Sequence, residues 1–306
     1  MRKIFLVTDY ACNSTCISCA KRINECGFLS LEQIIEKING IQPSTADSLE
    51  ISGGEPTLRK DFFDICGYIK SHFDTQLVLL SNGRRFKDPT FARKVRDIGV
   101  DRVMSTFYSP YEVVHDLVTQ IQGSFDDTVQ GIKNLEAIEM QIAVKTIILK
   151  QNYQQLPDFV RFAYDAFPTA EVSIHGLIMR GRASDNKERL VVKHNEVKPH
   201  LERALDVAIE RRKNLGVFLV PACVIDPSYW SYLSVNWKQM AKEMIYISPE
   251  ETVYGNLDVS QPAYCDGCLM SDHCSWSWES AWREYIHLFG TEELNRLSIN
   301  QEVIKQ

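Results

Sequence analysis

The sequence lacks the features that direct a protein to a membrane, to the cell exterior or onto a nucleic acid. No apolar run approaches the ~20 residues needed to cross a bilayer. The N-terminus passes from Met1-Arg2-Lys3 directly into a strand-like run, without a cleavable signal pattern. The net charge of −6 lacks the basic excess typical of nucleic-acid-binding proteins. We therefore expect a cytoplasmic protein that has neither a membrane nor a nucleic acid as partner.

The composition is that of an ordinary globular protein, with one exception. Hydrophobic residues make up 44% and charged residues 24% of a 306-residue chain, which is long enough for one large domain and a smaller one. The exception is nine cysteines. Because proteins without a secretion signal seldom contain disulfides, these cysteines indicate metal binding.

Three cysteines stand close together near the start of the chain, at Cys12, Cys16 and Cys19. Three thiolates this close cannot be three disulfide halves, but they can converge on one iron–sulfur cluster. Three ligands on a four-iron cluster leave one iron open, and an open position is typical of catalytic metal sites. The alternatives are zinc or three unrelated buried thiols. A zinc ribbon would need two nearby Cys-x2-Cys pairs, and this region has no such arrangement.

A second motif follows one strand–helix unit later. The run Ile4-Phe5-Leu6-Val7 predicts a buried strand, so the three cysteines lie on the loop leaving that strand. Residues 48–56 predict another strand that ends in Gly53-Gly54-Glu55-Pro56. Two glycines allow the backbone to approach a ligand closely, and Glu55 can accept hydrogen bonds from an ammonium group. Both motifs fall at the carboxyl ends of strands, where α/β folds bind ligands.

These motifs resemble the radical S-adenosylmethionine (SAM) superfamily. The resemblance rests on the cysteine spacing, on Gly53-Gly54-Glu55-Pro56 and on Leu80-Ser81-Asn82-Gly83, and it covers at least residues 3–182. It implies a [4Fe–4S] cluster held by the three cysteines, whose open iron chelates the amino and carboxylate groups of SAM. Reduction would cleave SAM to a 5′-deoxyadenosyl radical that abstracts hydrogen. One departure is Ser18, which stands before the third cysteine where this family often has an aromatic residue.

The resemblance also implies the fold and a set of cofactor-binding residues. Six strands alternating with helices predict a parallel sheet, and the family fold is a partial (β/α)6 TIM-like barrel followed here by a small α+β Fe–S domain. We predict a radical SAM core over 1–185, a linker and bridging helix over 186–215, and an auxiliary cluster domain over 216–306. The expected SAM-binding residues are Gly53, Gly54, Glu55 (facing the ammonium), Ser81, Asn82 (facing the ribose) and Arg182. In similar enzymes a Gly-Arg-Ala stretch brings its arginine near the SAM carboxylate; the alternative here is a surface turn.

The remaining cysteines of interest lie in the last third of the chain. Cys265, Cys268 and Cys274 form a Cys-x2-Cys-x5-Cys run, and Cys223 lies upstream. The run resembles the twitch and SPASM extensions, which implies an auxiliary [4Fe–4S] cluster. The alternatives to this cluster are a zinc site or a cluster with only three cysteine ligands. In the latter case Cys223 could be a free thiol that returns a hydrogen atom to a substrate radical. Trp278 stands where a full SPASM run would have a further cysteine. This half loosely resembles the His-Xaa-Ser system peptide maturases, through Pro221-Ala222-Cys223, residues 226–230, Ser234, residues 236–238 and residues 265–268.

We therefore predict an oxidoreductase-type radical SAM enzyme that matures a ribosomally synthesised peptide. One alternative is a radical SAM enzyme of small-molecule, cofactor or nucleotide biosynthesis; another is a non-catalytic Fe–S electron carrier. Four auxiliary cysteines favour the peptide enzyme over relatives that keep an open auxiliary iron for a small substrate. The expected partners are a precursor peptide and a flavodoxin- or ferredoxin-type reductant. Because the chain begins directly on its first strand, we expect leader recognition to reside in a separate protein.

Overall fold

The computed structural model describes residues 2–22, 27–41, 48–233, 243–255, 260–271, 274, 276, 279–292 and 294. Ser234, residues 236–238 and Trp278, which the sequence analysis singled out, lie outside the described residues. No helix in the described part of the chain is long and apolar enough to cross a membrane.

One nine-stranded sheet organises the fold, in the order β7-β6-β5-β4-β3-β2-β1-β8-β9. Neighbouring strands are parallel throughout, except that β8 and β9 form an antiparallel hairpin. The strands are β1 (Lys3–Val7), β2 (Ser48–Ser52), β3 (Gln76–Ser81), β4 (Arg102–Thr106), β5 (Gln141–Ile147), β6 (Glu171–His175), β7 (Leu215–Phe218), β8 (Ile245–Ile247) and β9 (Thr252–Tyr254). The predicted alternation of strands and helices over the first six strands is confirmed.

The helices that the structure describes follow the predicted pattern, with additions. They are α1 (Leu31–Asn39), α2 (Phe62–His72), α3 (Pro89–Asp97), α4 (Glu112–Thr119), α5 (Ser124–Ala137), α6 (Leu156–Ala166), α7 (Gly181–Asp185), α8 (Lys187–Leu190), α9 (His194–Arg211) and α10 (Glu279–Phe289). The pattern Ser30-x-x-Gln33 predicts a capping box at the start of α1, and there Ser30 and Gln33 satisfy each other's backbone N–H groups. The sequence predicts a polar loop around His115, but this stretch forms α4, because His115 packs inward against Phe107 and Phe125.

Strand residues alternate between a core face and an interior face. On β1 and β2, Ile4, Leu6, Leu49 and Ile51 are fully buried and belong to the main hydrophobic core beneath the helices. Successive strand residues point to opposite faces, so the polar residues between them face the interior of the partial barrel. The carboxyl ends of the strands and the loops that follow them therefore surround one concave chamber.

The C-terminal part of the chain contributes to the same sheet. Strand β7 pairs with β6, and β8 pairs with β1, so the sheet crosses the predicted boundary at 215/216. Helix α9 buries Leu201 and Leu205 in the main core, beside α6. A second, smaller core forms around Trp276 and Tyr285, where α10 meets the segment after β6. Because one sheet runs through the predicted core and the predicted cluster domain, the division into a radical SAM core, a bridging helix and a cluster domain stays a prediction.

Candidate active site

The first cysteine loop leaves β1 at the carboxyl edge of the sheet. Cys12, Cys16 and Cys19 are half-buried, and burial raises the pKa of Cys12 to about 11 and of Cys16 to about 12. The backbone N–H groups of Ser14 and Lys21 donate to the sulfurs of Cys12 and Cys19, each at 3.4 Å. N–H groups directed at sulfur are typical of iron–sulfur sites and favour the thiolate form.

The donor set of this loop fits an iron–sulfur cluster. Its three thiols act electrostatically on one another, which places them close together. Among the residues that the structure describes, no three Cys, His, Asp or Glu side chains already stand in metal-binding geometry. Ligation at this loop requires loss of the cysteine protons.

The loop is held in place by the end of α4 and by an arginine after β3. The N–H groups of Thr15 and Ile17 donate to the carbonyls of Thr119 and Val118, at 3.1 and 2.9 Å. The Arg84 guanidinium donates to the Asn13 carbonyl at 2.6 Å and pairs with Asp127 on α5. Arg84 was not identified from the sequence, because an arginine after a strand carries no local signal of its partner.

The two glycines of the second motif admit the backbone of the cysteine loop. Gly54 N donates to Asp9 O at 2.9 Å, and Glu55 N donates to Ala11 O at 2.7 Å. A Cβ atom on Gly54 would lie 2.1 Å from Ala11 O, and one on Gly53 would lie 2.5 Å from Asp9 O. The backbone of the cysteine loop therefore lies so close to Gly53 and Gly54 that this contact alone explains why both positions are glycine. Contact of Gly53 and Gly54 with SAM stays a prediction.

Glu55 is a buried carboxylate that ties the ends of β2 and β3 together. Its Oε1 accepts hydrogen bonds from Thr57 Oγ1 at 2.6 Å and Ser81 Oγ at 2.9 Å. Its Oε2 accepts from Asn82 N at 2.7 Å. Burial raises the pKa of Glu55, and these donors act in the opposite direction. Because Oε2 has a single donor among the described residues, it keeps capacity to accept from an ammonium group.

Asn82 and Arg182, from distant parts of the chain, both reach the cysteine loop. Asn82 Nδ2 donates to Asn13 Oδ1 at 2.7 Å and lies 3.9 Å from Cys12 Sγ. Arg182 Nη1 donates to Thr15 O at 2.6 Å, and its positive charge lowers the pKa of Cys19 against the larger effect of burial. Arg182 thus lies against the cysteine loop rather than on a free surface turn. The predicted contacts of both side chains with SAM remain predictions.

Tyr108, just after β4, lies next to the cysteine loop and was not identified from the sequence. Its side chain is 6% exposed, and its hydroxyl accepts a hydrogen bond from Ser18 Oγ at 3.2 Å. Burial dominates the pKa of Cys16, and a hydrogen bond with Tyr108 lowers it in part. The departure at Ser18 was visible in the sequence, but its partner 90 positions away was not.

The four C-terminal cysteines also come together. Cys223, Cys265, Cys268 and Cys274 are all half-buried. Burial and, to a smaller extent, the charges of the other three cysteines together raise the pKa of Cys223 to about 12. The N–H group of Ala222 donates to Cys274 Sγ at 3.5 Å. Four mutually close thiols suit a closed metal or cluster site, and their assignment as ligands stays a prediction.

Comparison with known proteins identifies the class. Residues 7–163, about half of the chain, match the radical SAM superfamily, and the chain belongs to this family. Members of this family use a [4Fe–4S] cluster and SAM. The superfamily assignment, the fold class and these cofactors are thus confirmed.

The individual relatives differ in what they act on. The chain is 26% identical over 262 residues to the AdoMet-dependent heme synthase of Methanosarcina barkeri, covering 84% of this chain and 68% of that protein. It is 31% identical over 184 residues to the mycofactocin maturase MftC of Mycobacterium ulcerans, covering 59% of this chain and 48% of that protein. Streptococcus suis SuiB bound to the precursor peptide SuiA has a similar fold, with a TM-score of 0.63, 13% identity and coverage of 80% and 57%. The chain thus spans about half to two thirds of the length of these relatives.

Proposed function

We propose that this radical SAM enzyme abstracts hydrogen from a ribosomally synthesised precursor peptide and so installs a side-chain modification. The observation that carries the proposal is the approach of Cys223 to Cys265, Cys268 and Cys274. Four thiols can hold a complete auxiliary [4Fe–4S] cluster, which can accept the electron released when a substrate radical becomes product. Similarity to MftC and to peptide-bound SuiB supports a peptide substrate.

In this proposal the residues around the first cysteine loop bind and orient the cofactors. Cys12, Cys16 and Cys19 hold the [4Fe–4S] cluster, which together with SAM supplies a 5′-deoxyadenosyl radical when bound. Glu55 Oε2 accepts from the SAM ammonium group, and Asn82 faces the ribose. Arg182 donates one N–H to Thr15 O, and its remaining N–H groups can donate to the SAM carboxylate. A separate leader-binding protein and a flavodoxin- or ferredoxin-type reductant complete the proposed system.

A second candidate function is the modification of a small molecule, cofactor or nucleotide. The match to the heme synthase favours it, because that match covers 84% of this chain. Against it, four auxiliary thiols close a cluster, whereas a substrate-binding cluster keeps an open iron.

The first experiment tests the radical SAM site. We expect the anaerobically reconstituted and reduced protein to convert SAM to 5′-deoxyadenosine, measured by chromatography. Cys12→Ala, Cys16→Ala and Cys19→Ala should each abolish this conversion. Cys66→Ala is the matched control, because Cys66 is fully buried in α2 and packs in the main core. Undiminished conversion by the triple variant would refute the assignment of these three ligands.

The second experiment distinguishes the two candidate substrates. Short peptides encoded beside the gene, and tetrapyrrole precursors, are each prepared with deuterium and incubated with enzyme and SAM. Deuterium in 5′-deoxyadenosine identifies the molecule from which hydrogen is abstracted. Transfer from a peptide supports peptide maturation, whereas transfer only from a tetrapyrrole supports the second candidate.

A further inference from the structure

A row of polar side chains lines the chamber at the carboxyl ends of β4, β5 and β6. Thr106 is in register with Lys145, and Lys145 is in register with Ser173. Residues in register on adjacent strands point to the same face of a sheet. Ile174, which follows Ser173, is fully buried beneath the helices, so Lys145 and Ser173 face the chamber. His175 lies on the same face at the end of β6.

Lys145 is a basic side chain to which the described residues offer no direct counterion. Its ammonium group makes no hydrogen bond or ion pair with them, although the side chain is half-buried. Burial lowers the pKa of Lys145, and Glu50 opposes this electrostatically. Glu50, however, already accepts from Lys3 Nζ at 2.9 Å. Two ammonium groups therefore share one carboxylate, which leaves one positive charge in excess.

The neighbours of Lys145 on β6 are neutral hydrogen-bonding groups. His175 Nε2 and Ser173 Oγ are 3.0 Å apart, and the His175 ring stacks on Phe218 with its centroid at 4.5 Å. Burial and the Lys145 charge hold the pKa of His175 well below its ordinary value. His175 therefore stays uncharged at neutral pH and adds no second cation beside Lys145.

We propose that Lys145 binds a carboxylate of the substrate in this chamber, with the Ser173 hydroxyl as a second donor in the tautomer whose His175 Nε2–H donates to Ser173 Oγ. A half-buried ammonium group without a counterion is costly, and a ligand carboxylate removes that cost. One excess positive charge matches a monoanion, whereas a phosphate dianion is better served by a cluster of cations. This inference rests on the proposed function, because it places the substrate in the chamber that the first cysteine loop borders.

The test uses the reconstituted holoenzyme and two small probes that differ in charge alone. Saturation-transfer NMR measures the binding of acetyl-glutamyl amide and of its neutral counterpart, acetyl-glutaminyl amide. We expect the acidic probe to bind at least tenfold more tightly than the neutral one. Lys145→Met should remove this preference, and Lys145→Arg should keep most of it. Lys150→Met is the matched control, because Lys150 is exposed just beyond β5 and should not affect the preference.

Three results would overturn the inference. One is an undiminished preference in a Lys145→Met protein that unfolds cooperatively and holds wild-type iron. A second is a loss of SAM affinity in that variant as large as the loss of probe affinity, which would assign Lys145 to the cofactor. A third is tighter binding of pyrophosphate than of the acidic probe, which would assign a phosphate instead. Failure of SAM cleavage in the wild type would contradict the proposed function and is measured separately.

Discussion

The replacement Gly54→Ala tests whether the Gly-Gly motif serves the cysteine loop. The added Cβ would lie 2.1 Å from Ala11 O, well inside the distance at which carbon and oxygen can coexist. The loop backbone must move away, which weakens the bond from Gly54 N to Asp9 O and the bond from Glu55 N to Ala11 O. Two lost backbone hydrogen bonds and the displacement together should cost about 2 to 3 kcal/mol of stability.

The assay combines stability with cluster content. Urea unfolding should show the loss of stability, and iron and sulfide per chain should fall because the displaced loop no longer presents its three thiols together. Gly67→Ala is the matched control: its Cβ would meet Ile98 at an ordinary 3.4 Å inside α2, and alanine is the better helix former by about 1 kcal/mol. A Gly54→Ala protein with wild-type stability and iron content would refute this explanation of the motif.

Three further predictions address other parts of the molecule. Tyr108→Phe removes the hydroxyl that hydrogen-bonds Ser18 and Cys16, so the first cluster should have a more negative reduction potential in an EPR-monitored titration. An unchanged potential would show that Tyr108 does not tune the reduction potential of the cluster. Burial lowers the pKa of His115 to about 4, so folding stability should fall as pH drops from about 6.5 towards 4, by up to ~3 kcal/mol. Urea unfolding of His115→Gln should show a flatter pH dependence, and equal slopes would contradict the assignment. Cys223→Ala should reduce iron from about eight to about four per chain, or alter the auxiliary spectrum, while SAM cleavage persists; an unchanged spectrum with lost product would identify Cys223 as the hydrogen donor.

Local patterns in the sequence were sufficient for much of the fold. The first strand and the Ser30–Gln33 capping box are predicted from neighbouring residues alone, and the structure confirms both. Such signals involve residues a few positions apart, where backbone propensity and side-chain periodicity decide the outcome. The placement of the cysteine loop after β1 follows from the same kind of signal.

The contacts that organise the site depend on residues far apart in the chain. The apolar run of β8 predicts a strand, but its pairing with β1 is decided by the whole sheet. Likewise, nothing near Ser18 indicates Tyr108, and nothing near Gly54 indicates Ala11. The predicted boundary at 215/216 followed a change in composition, whereas β7 extends the sheet across it. Composition reports local character and carries no information on which edge a strand will join.

The hold of Arg182 on the first cysteine loop has a consequence for how the protein is made. The bond from Arg182 to Thr15 joins residues 167 positions apart. At the ~5–20 residues per second of ribosomal synthesis, roughly 10 to 30 s pass between the appearance of the two residues. During that interval the loop lacks its hydrogen bond to Arg182, so we expect the loop to be more mobile than in the finished chain. In the finished chain the bond from Arg182 to Thr15 is already in place, so a cluster inserted by reconstitution enters a loop that is more restrained than the one on the ribosome.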